Sequence, residues 1–390
     1  MSEGNVREIN ELVELCRFGG DDFLVTQGSG GNASVKSLGR STMWIKASGC
    51  RMGDVSRRHG WMEMRIPEPG VLARAVEGRE HDAANASMSG CLQSLVTGAA
   101  GIGGRPSMEA WFHLALDRVV LHTHPVYANA FACMEGGAEK LRGLLGPRVE
   151  YLEYFAPGHL LGDAIERKAI AARRCGTCPR LWILANHGVI ATAEDGAEAM
   201  AVTRGVLDAG FRYFGPIETS LISTRTPGEQ TERFARELRK AVHRQTGRSC
   251  CVRPATRGIL VGPYLMDELN PLVPDDAILN GRRILHAATV DEALSQLNSL
   301  LSAVIQIDGS GLLFCAPSEG MTYAMEEQLA ANALVHRLIA GKGRVRTLPD
   351  HEIDLLLGMD SEKYRQTIVS GTAIAGEYVA EVPEPEVVCR

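Results

Sequence analysis

The stretch VVLHTHP, residues 119–125, decides how this chain is read: an apolar run ends in two histidines one residue apart and a proline. Val119, Val120 and Leu121 predict a strand, and in a strand alternate side chains share a face. His122 and His124 therefore point the same way, with backbones roughly 6–7 Å apart, while Thr123 points away. Two imidazoles on such a base can hold one divalent cation at ~2.0–2.1 Å each. Pro125 has no N–H to continue a ladder and suits the strand's end. Alone, the pair also fits two polar residues closing a strand without a ligand, so a metal reading needs a third donor.

That donor is found in LWILANHGVIAT, residues 181–192, where a strand enters, Asn186 and Gly188 flank a turn around His187, and a second strand leaves. Three histidines with a position left open form the pattern of a catalytic metal site rather than a closed structural one. Glu109 lies 13 residues before His122, at a helix start after Ser107. A carboxylate there can move a proton to or from carbon beside a metal-bound substrate, or simply complement a helix dipole. The glycine-rich turns offer a separate function. In GSGGN (28–32), Gly30, Gly31 and Asn32 can aim N–H groups and an amide at an anion. Ser48 and Gly49 in KASG (46–49) can do the same, and Ser107 adds a hydroxyl near a helix N-terminus. Neither the dinucleotide fingerprint nor the P-loop spacing is present, and each turn alone also reads as just a turn.

Bulk properties narrow the classes. A chain of 390 residues can bury a large core in one large domain or two. Its formal charge of −6 and 5% aromatic content argue against a nucleic-acid partner, which needs a basic face or stacking platforms. The amphipathic, acidic start has no signal-peptide core, and no run approaches a membrane span. Ten scattered cysteines fit a reducing compartment, and the lone CxxC at Cys175 and Cys178 reads as ordinary loop thiols. The expectation is a cytoplasmic chain with no membrane partner.

Along the chain, residues 6–18 predict a helix, and LVTQGSGGNASVK followed by TMWIKASG predicts a hairpin. Residues 80–95 read as helical, and VTGAAGIGGRPSME as a flexible approach to the helix near Ser107. PVYANAFACM predicts a helix, PRLWILANHGVIATAED a strand–turn–strand, and DGAEAMAVTRGVLDAGFRYFG a long helix. This mixture argues for α+β or a layered α/β/α sandwich. Composition changes near 224–257. Beyond it, LNPLVPDDAILNGRRIL and AVIQIDGSGLLFCAP predict short strands, and TVDEALSQLNSLLSAV and YAMEEQLAANALVHRLIA two amphipathic helices. This portion carries no cluster that looks like chemistry, which leaves packing or covering an active site as its job. The acidic, proline-bearing end predicts a loose tail. The expected units are residues 1–228, a smaller α+β portion at 229–365, and a tail at 366–390.

Five motifs, GSGGNASVK (28–36), MWIKASG (43–49), RPSMEAWFH (105–113), VVLHTHPVYANAFACM (119–134) and ILANHGVIATAEDGAEAM (183–200), together resemble the class II aldolase/adducin family. The segment LNPLVPDDAIL and the length resemble its longer members. That resemblance implies a three-layer α/β/α sandwich around a mainly antiparallel sheet. It implies Zn2+ (or Mn2+ or Co2+) held by His122, His124 and His187, and proton transfer by Glu109. It implies a phosphate cradle at Gly31, Asn32, Ser48, Gly49 and Ser107. Where fuculose-type members carry a second serine, this chain has Met108, as longer members have an apolar residue. A second acid/base is sought among Tyr151, Glu153 and Tyr154. The implied activity is lyase chemistry, cleaving a phosphorylated ketose of the fuculose, rhamnulose or ribulose 1-phosphate type to dihydroxyacetone phosphate and an aldehyde. The implied assembly is a homo-oligomer, tetrameric in the family. The rivals are a sugar-phosphate dehydratase or 4-epimerase on the same metal site, and a non-catalytic adducin-like binding module.

Overall fold

The apolar run with the paired histidines forms the strand Val119–Thr123, buried along its whole length near the middle of an eight-stranded sheet. This computed structural model describes residues 3–101, 104–247, 249–261, 270–297, 302–308 and 310–359. The tail expected at 366–390 lies outside the described residues. The strands are β1 (Asn32–Lys36), β2 (Thr42–Lys46), β3 (Trp61–Arg65), β4 (Val96–Ala100), β5 (Val119–Thr123), β6 (Val149–Leu152), β7 (Leu181–Leu184) and β8 (Gly188–Ala193). They run in the order β4-β3-β2-β1-β5-β8-β7-β6, and every neighbouring pair is antiparallel except β6 with β7.

Strand alternation sets the layers. Val119 and Leu121 pack with Ile9, Leu12 and Leu15 of the helix Glu3–Gly20 and with Ala199 of the helix Gly196–Phe214. Val120 faces the other side, with Phe112, Leu161, Ile165 and Trp182 from the helices Ala110–Ala115 and His159–Arg174 and from β7. A strand covered on both faces is apolar throughout, which is why β5 shows no polar alternation until His122. The result is a helix–sheet–helix sandwich around a mainly antiparallel sheet, with a smaller second sheet.

That second sheet joins β9 (Cys251–Pro254), β10 (Leu285–Ala287), β11 (Ala303–Ile307) and β12 (Gly311–Ala316) in the order β10-β11-β12-β9. The helices Glu229–Thr246 and Val290–Leu297 cover one face. The helix Glu319–Ile339 covers the other and also packs on Val126, Ala130 and Phe131 of the helix Val126–Ala132. One apolar cluster therefore joins the two portions.

Three sequence expectations change. Val96–Ala100, expected to be part of a flexible approach, is the edge strand β4, paired with β3 through Trp61↔Ala100. The Pro274–Asn280 segment, expected as a short strand, is a helix, because Pro274 occupies its first turn and two aspartates follow where the dipole favours negative charge. The Glu319–Ile339 helix is not simply amphipathic: 15 of its 21 residues are buried, since it is held between the second sheet and the first sandwich. Cys175 and Cys178 are exposed free thiols. Among the described residues no helix is long and apolar enough to cross a membrane.

At the end of β1 lies an unusual buried cation. Lys36 is 1% exposed, and its Nζ donates to the carbonyls of Leu116 (2.7 Å) and Asp117 (2.6 Å), just past the Ala110–Ala115 helix. Burial, with Arg40 and Arg173 nearby, pushes its pKa down to about 7 against the pull of Asp117 and Glu194. The unfolded chain then binds more protons than the folded one between pH 7 and about 10.5, so stability rises with pH across that window. Urea unfolding at pH 7 and pH 10 is expected to show wild type gaining roughly 2–5 kcal/mol relative to Lys36→Met. Equal slopes for the two proteins would show that the ammonium is not disfavoured by the fold.

Candidate metal and active site

His122 ends the shared face of β5, opposite Asn32 of β1 and Ile190 of β8. His124 follows one residue beyond the strand, and His187 sits in the tight β7–β8 turn. All three side chains are buried, and one ligand-capable atom of each lies within 4.8 Å of the others. His122 Nε2 and His124 Nε2 are 3.0 Å apart, with the rings set edge to face. The His187 ring is 5.0 Å from that of His122 and 5.4 Å from that of His124, centroid to centroid.

The protonation pattern suits metal ligation. His122 Nδ1 donates to Val189 O at 2.9 Å, so its Nε2 carries the lone pair and turns inward. Burial holds the His122 pKa down to about 3, against the attraction of Glu109, and the ring is neutral at neutral pH. A neutral imidazole is the form that binds a cation. Three buried imidazoles with their ring nitrogens facing one another are a donor set that fits a divalent cation.

Glu109 closes this cluster. It immediately precedes the Ala110–Ala115 helix, and its backbone N–H donates to Ser107 Oγ at 3.2 Å. The side chain turns toward the histidines: Oε1 is 3.2 Å from His187 Nε2 and 3.6 Å from His122 Nε2. Oε2 accepts from Asn32 Nδ2 at 2.5 Å. Burial raises the Glu109 pKa, but the surrounding imidazoles outweigh it and hold the carboxyl below the usual range.

The remaining site residues fall into two groups. Asn32, Ser107 and Glu109 join the triad directly or through one another. Gly31 lies on the turn before β1 at φ +66°, where an added Cβ would stand 2.9 Å from His122 O, so only glycine lets the loop pass this close. The Ser48–Gly49 turn is tied to the same neighbourhood by Ser48 N–H donating to Arg105 O at 3.2 Å, two residues before Ser107. Met108 packs among apolar side chains of two clusters.

Tyr154 is in the second group. It packs against Ala277, Ile278, Leu348 and Ile353, and burial, with Glu352 nearby, raises its pKa. Tyr151 Oη accepts from Arg346 at 3.0 Å and donates to Glu153 at 3.2 Å.

Sequence reasoning missed what holds the His187 turn. Asn186 adopts φ +49°, and its Nδ2 donates to Leu272 O (2.9 Å) and Arg346 O (2.6 Å), while Arg346 Nε donates back to Asn186 Oδ1 (2.9 Å). Asparagine tolerates this left-handed conformation, and the later chain locks it there. The asparagine beside His187 was a visible signal; its partners, 86 and 160 residues away, were not.

The family model described as class II aldolase and adducin N-terminal domain matches residues 10–208. Among solved structures, the N-terminal class II aldolase domain of a Thermoplasma acidophilum protein is 24% identical, covering 53% of this chain and 93% of that one, with a TM-score of 0.44. An L-fuculose-1-phosphate aldolase from Thermus thermophilus is 18% identical, covering 52% and 93%, with a TM-score of 0.33. A sugar-phosphate aldolase from Thermotoga maritima is 17% identical, covering 55% and 98%, with a TM-score of 0.38. No curated protein sequence matches. The family match spans just over half of the chain and contains β1 to β8, the three histidines and Glu109: this chain belongs to the class II aldolase and adducin family.

Proposed function

We propose that this chain is a zinc-dependent aldolase that cleaves a phosphorylated ketose, of the fuculose, rhamnulose or ribulose 1-phosphate type, to dihydroxyacetone phosphate and an aldehyde. The observation that carries the proposal is a carboxylate beside a buried three-imidazole cluster, with Glu109 Oε1 3.2 Å from His187 Nε2. An adducin-like module with a purely binding role has no use for a buried acid at that place. The all-imidazole donor set suits zinc, with manganese or cobalt as substitutes.

A divalent cation held there supplies Lewis-acid stabilisation of the negative charge that builds on the ketose oxygens as the carbon–carbon bond breaks. The protein's own groups do the rest. Glu109, held as a carboxylate, would take the proton from the reacting carbon in the synthetic direction; in cleavage the same group returns to carbon a proton that it has received from the substrate hydroxyl through solvent. Asn32 holds its second oxygen, which fixes the carboxylate's aim. Gly31, Asn32, Ser48, Gly49 and Ser107 are the proposed cradle for the phosphate, through backbone N–H groups and short polar side chains. Tyr154 is the proposed partner for the hydroxyl that becomes the aldehyde oxygen. Burial keeps its phenol protonated, so it carries the proton that this oxygen would accept during synthesis. The proposal extends to a cytoplasmic homo-oligomer, on the strength of the family and of the nine cysteines among the described residues, all of them free.

Metal analysis of the purified protein is expected to find one divalent cation per chain, and His122→Ala to lose both metal and turnover. Full activity after chelation would overturn the metal assignment. Glu109→Gln is expected to retain the metal and lose roughly 100- to 10,000-fold in kcat. A screen of ketose 1-phosphates and 5-phosphates, with triose phosphate read by a coupled dehydrogenase, tests the reaction itself. Sugar consumed without a released aldehyde would instead assign a dehydratase or epimerase.

A further inference from the structure

The helix Pro274–Asn280, far outside the family match, brings a carboxylate to the histidine cluster. Asp275 Oδ2 lies 3.3 Å from His124 Nδ1, and both side chains are under a tenth exposed. On the far side of the same ring, His124 Nε2 is 3.0 Å from His122 Nε2. The imidazole thus spans from the carboxylate outside to the cluster inside. The approach needs a bare backbone beside it: a Cβ added at Gly30 would stand 2.5 Å from Asp275 Oδ2 and 3.0 Å from His124 Nδ1.

The helix is fixed in that place by polar contacts rather than by apolar burial alone. Asp276, next to Asp275, accepts from Asn280 Nδ2 at 2.9 Å and from Asn332 of the long buried helix. Asn332 Nδ2 also donates to Asn270 O at 3.1 Å. Leu272 O, three residues before Asp275, is the acceptor that holds Asn186 beside His187. The segment 270–280 therefore touches the surroundings of two of the three histidines.

We propose that Asp275 is a positioning residue for the metal ligand His124. Accepting the Nδ1 proton fixes the tautomer whose Nε2 carries the lone pair, orients the ring and raises its basicity. It plays the part for His124 that Val189 O plays for His122. The inference rests on the proposed metal site and extends it to a residue that lies outside the family domain.

The test is metal affinity of the full-length protein, by titrating zinc against a chromophoric chelator. Asp275→Ala is expected to weaken zinc binding about 10- to 100-fold, with Asp275→Asn, which keeps a neutral acceptor, in between. Gly30→Ala, which leaves Asp275 and His124 intact but crowds their contact, is expected to weaken binding in the same direction. It decides the matter if the Asp275 variants do not fold. Proton and nitrogen-15 spectra of the zinc-loaded protein supply a readout that a merely structural role would not move: the His124 Nδ1–H proton is expected downfield and slow to exchange in wild type, and to lose both properties in Asp275→Ala. Unchanged affinity and an unchanged Nδ1–H signal in the variants, with wild type binding zinc, would overturn this inference alone. Wild type that takes up no divalent cation would overturn the metal reading as well.

Discussion

Three imidazoles packed together in a protein interior depend on two things: little charge on the rings, and something that turns a ring from its other nitrogen. Burial favours the first at His122, since a charged ring packed against Phe112 and β8 would lose hydration that Glu109 offsets only in part. The second is a matter of acceptors. Val189 O serves His122 through a strand neighbour that the β5–β8 register fixes, so the ligand face is set by the same pairing that builds the sheet. Strand pairing carries further: the β1–β5 register sets Asn32 opposite His122, and Asn32 reaches Glu109.

Apolar packing joins the first sandwich to the second sheet, but does not say how they should be aligned. Leu, Met and Ala side chains slide against one another at small cost, whereas buried polar groups accept few arrangements. Such groups line the junction. Glu327 accepts from the Gly28 N–H at 2.8 Å and from Arg51 at 2.9 Å, holding the start of the glycine-rich turn. Asn186 takes two backbone carbonyls of the later chain. Asp276 is carried into the junction despite burial that raises its pKa to about 6, with two asparagines donating to it. An acid in that environment is costly to bury, and its partners restrict the helix that bears Asp275 to one seat.

The sequence made the first sandwich legible because its signals are local. HxH at a strand end, glycines before β1 and the NHG turn each depend on residues within a few positions, and alternation or helical period reports them directly. The site residues that came through were those whose chemistry is unusual in an apolar context, such as His122, His124 and His187. What did not come through depends on distance. Val96–Ala100 looked like flexible loop because glycine and alanine carry little strand signal, and only its pairing with β3 makes it an edge. The PDD segment carried a legible helix start in its proline and aspartates, yet nothing within it points to a histidine some 150 residues earlier. Glu319–Ile339 was legible as a helix, but its buried residues include the polar Thr322, Glu326, Gln328, Asn332 and His336, so its burial follows from packing on two sides and not from the local pattern.

The later portion of the chain was expected to pack or to cover, and the contacts give that expectation a sharper physical content. A cover that merely excluded water would meet the site with apolar side chains. Here the groups that meet it are polar: a carboxylate 3.3 Å from His124, a carboxylate that accepts from the Gly28 N–H, and backbone carbonyls that accept from Asn186. Matched donors and acceptors act over tenths of an ångström, so they transmit position where apolar contact transmits only proximity. A site that must hold a cation and aim a carboxylate needs its rings fixed to within about half an ångström. Sheet register alone fixes His122, which lies within β5; His124, one residue beyond the strand, and His187, in a turn, lie where register no longer holds. Those are the two positions that the later chain braces.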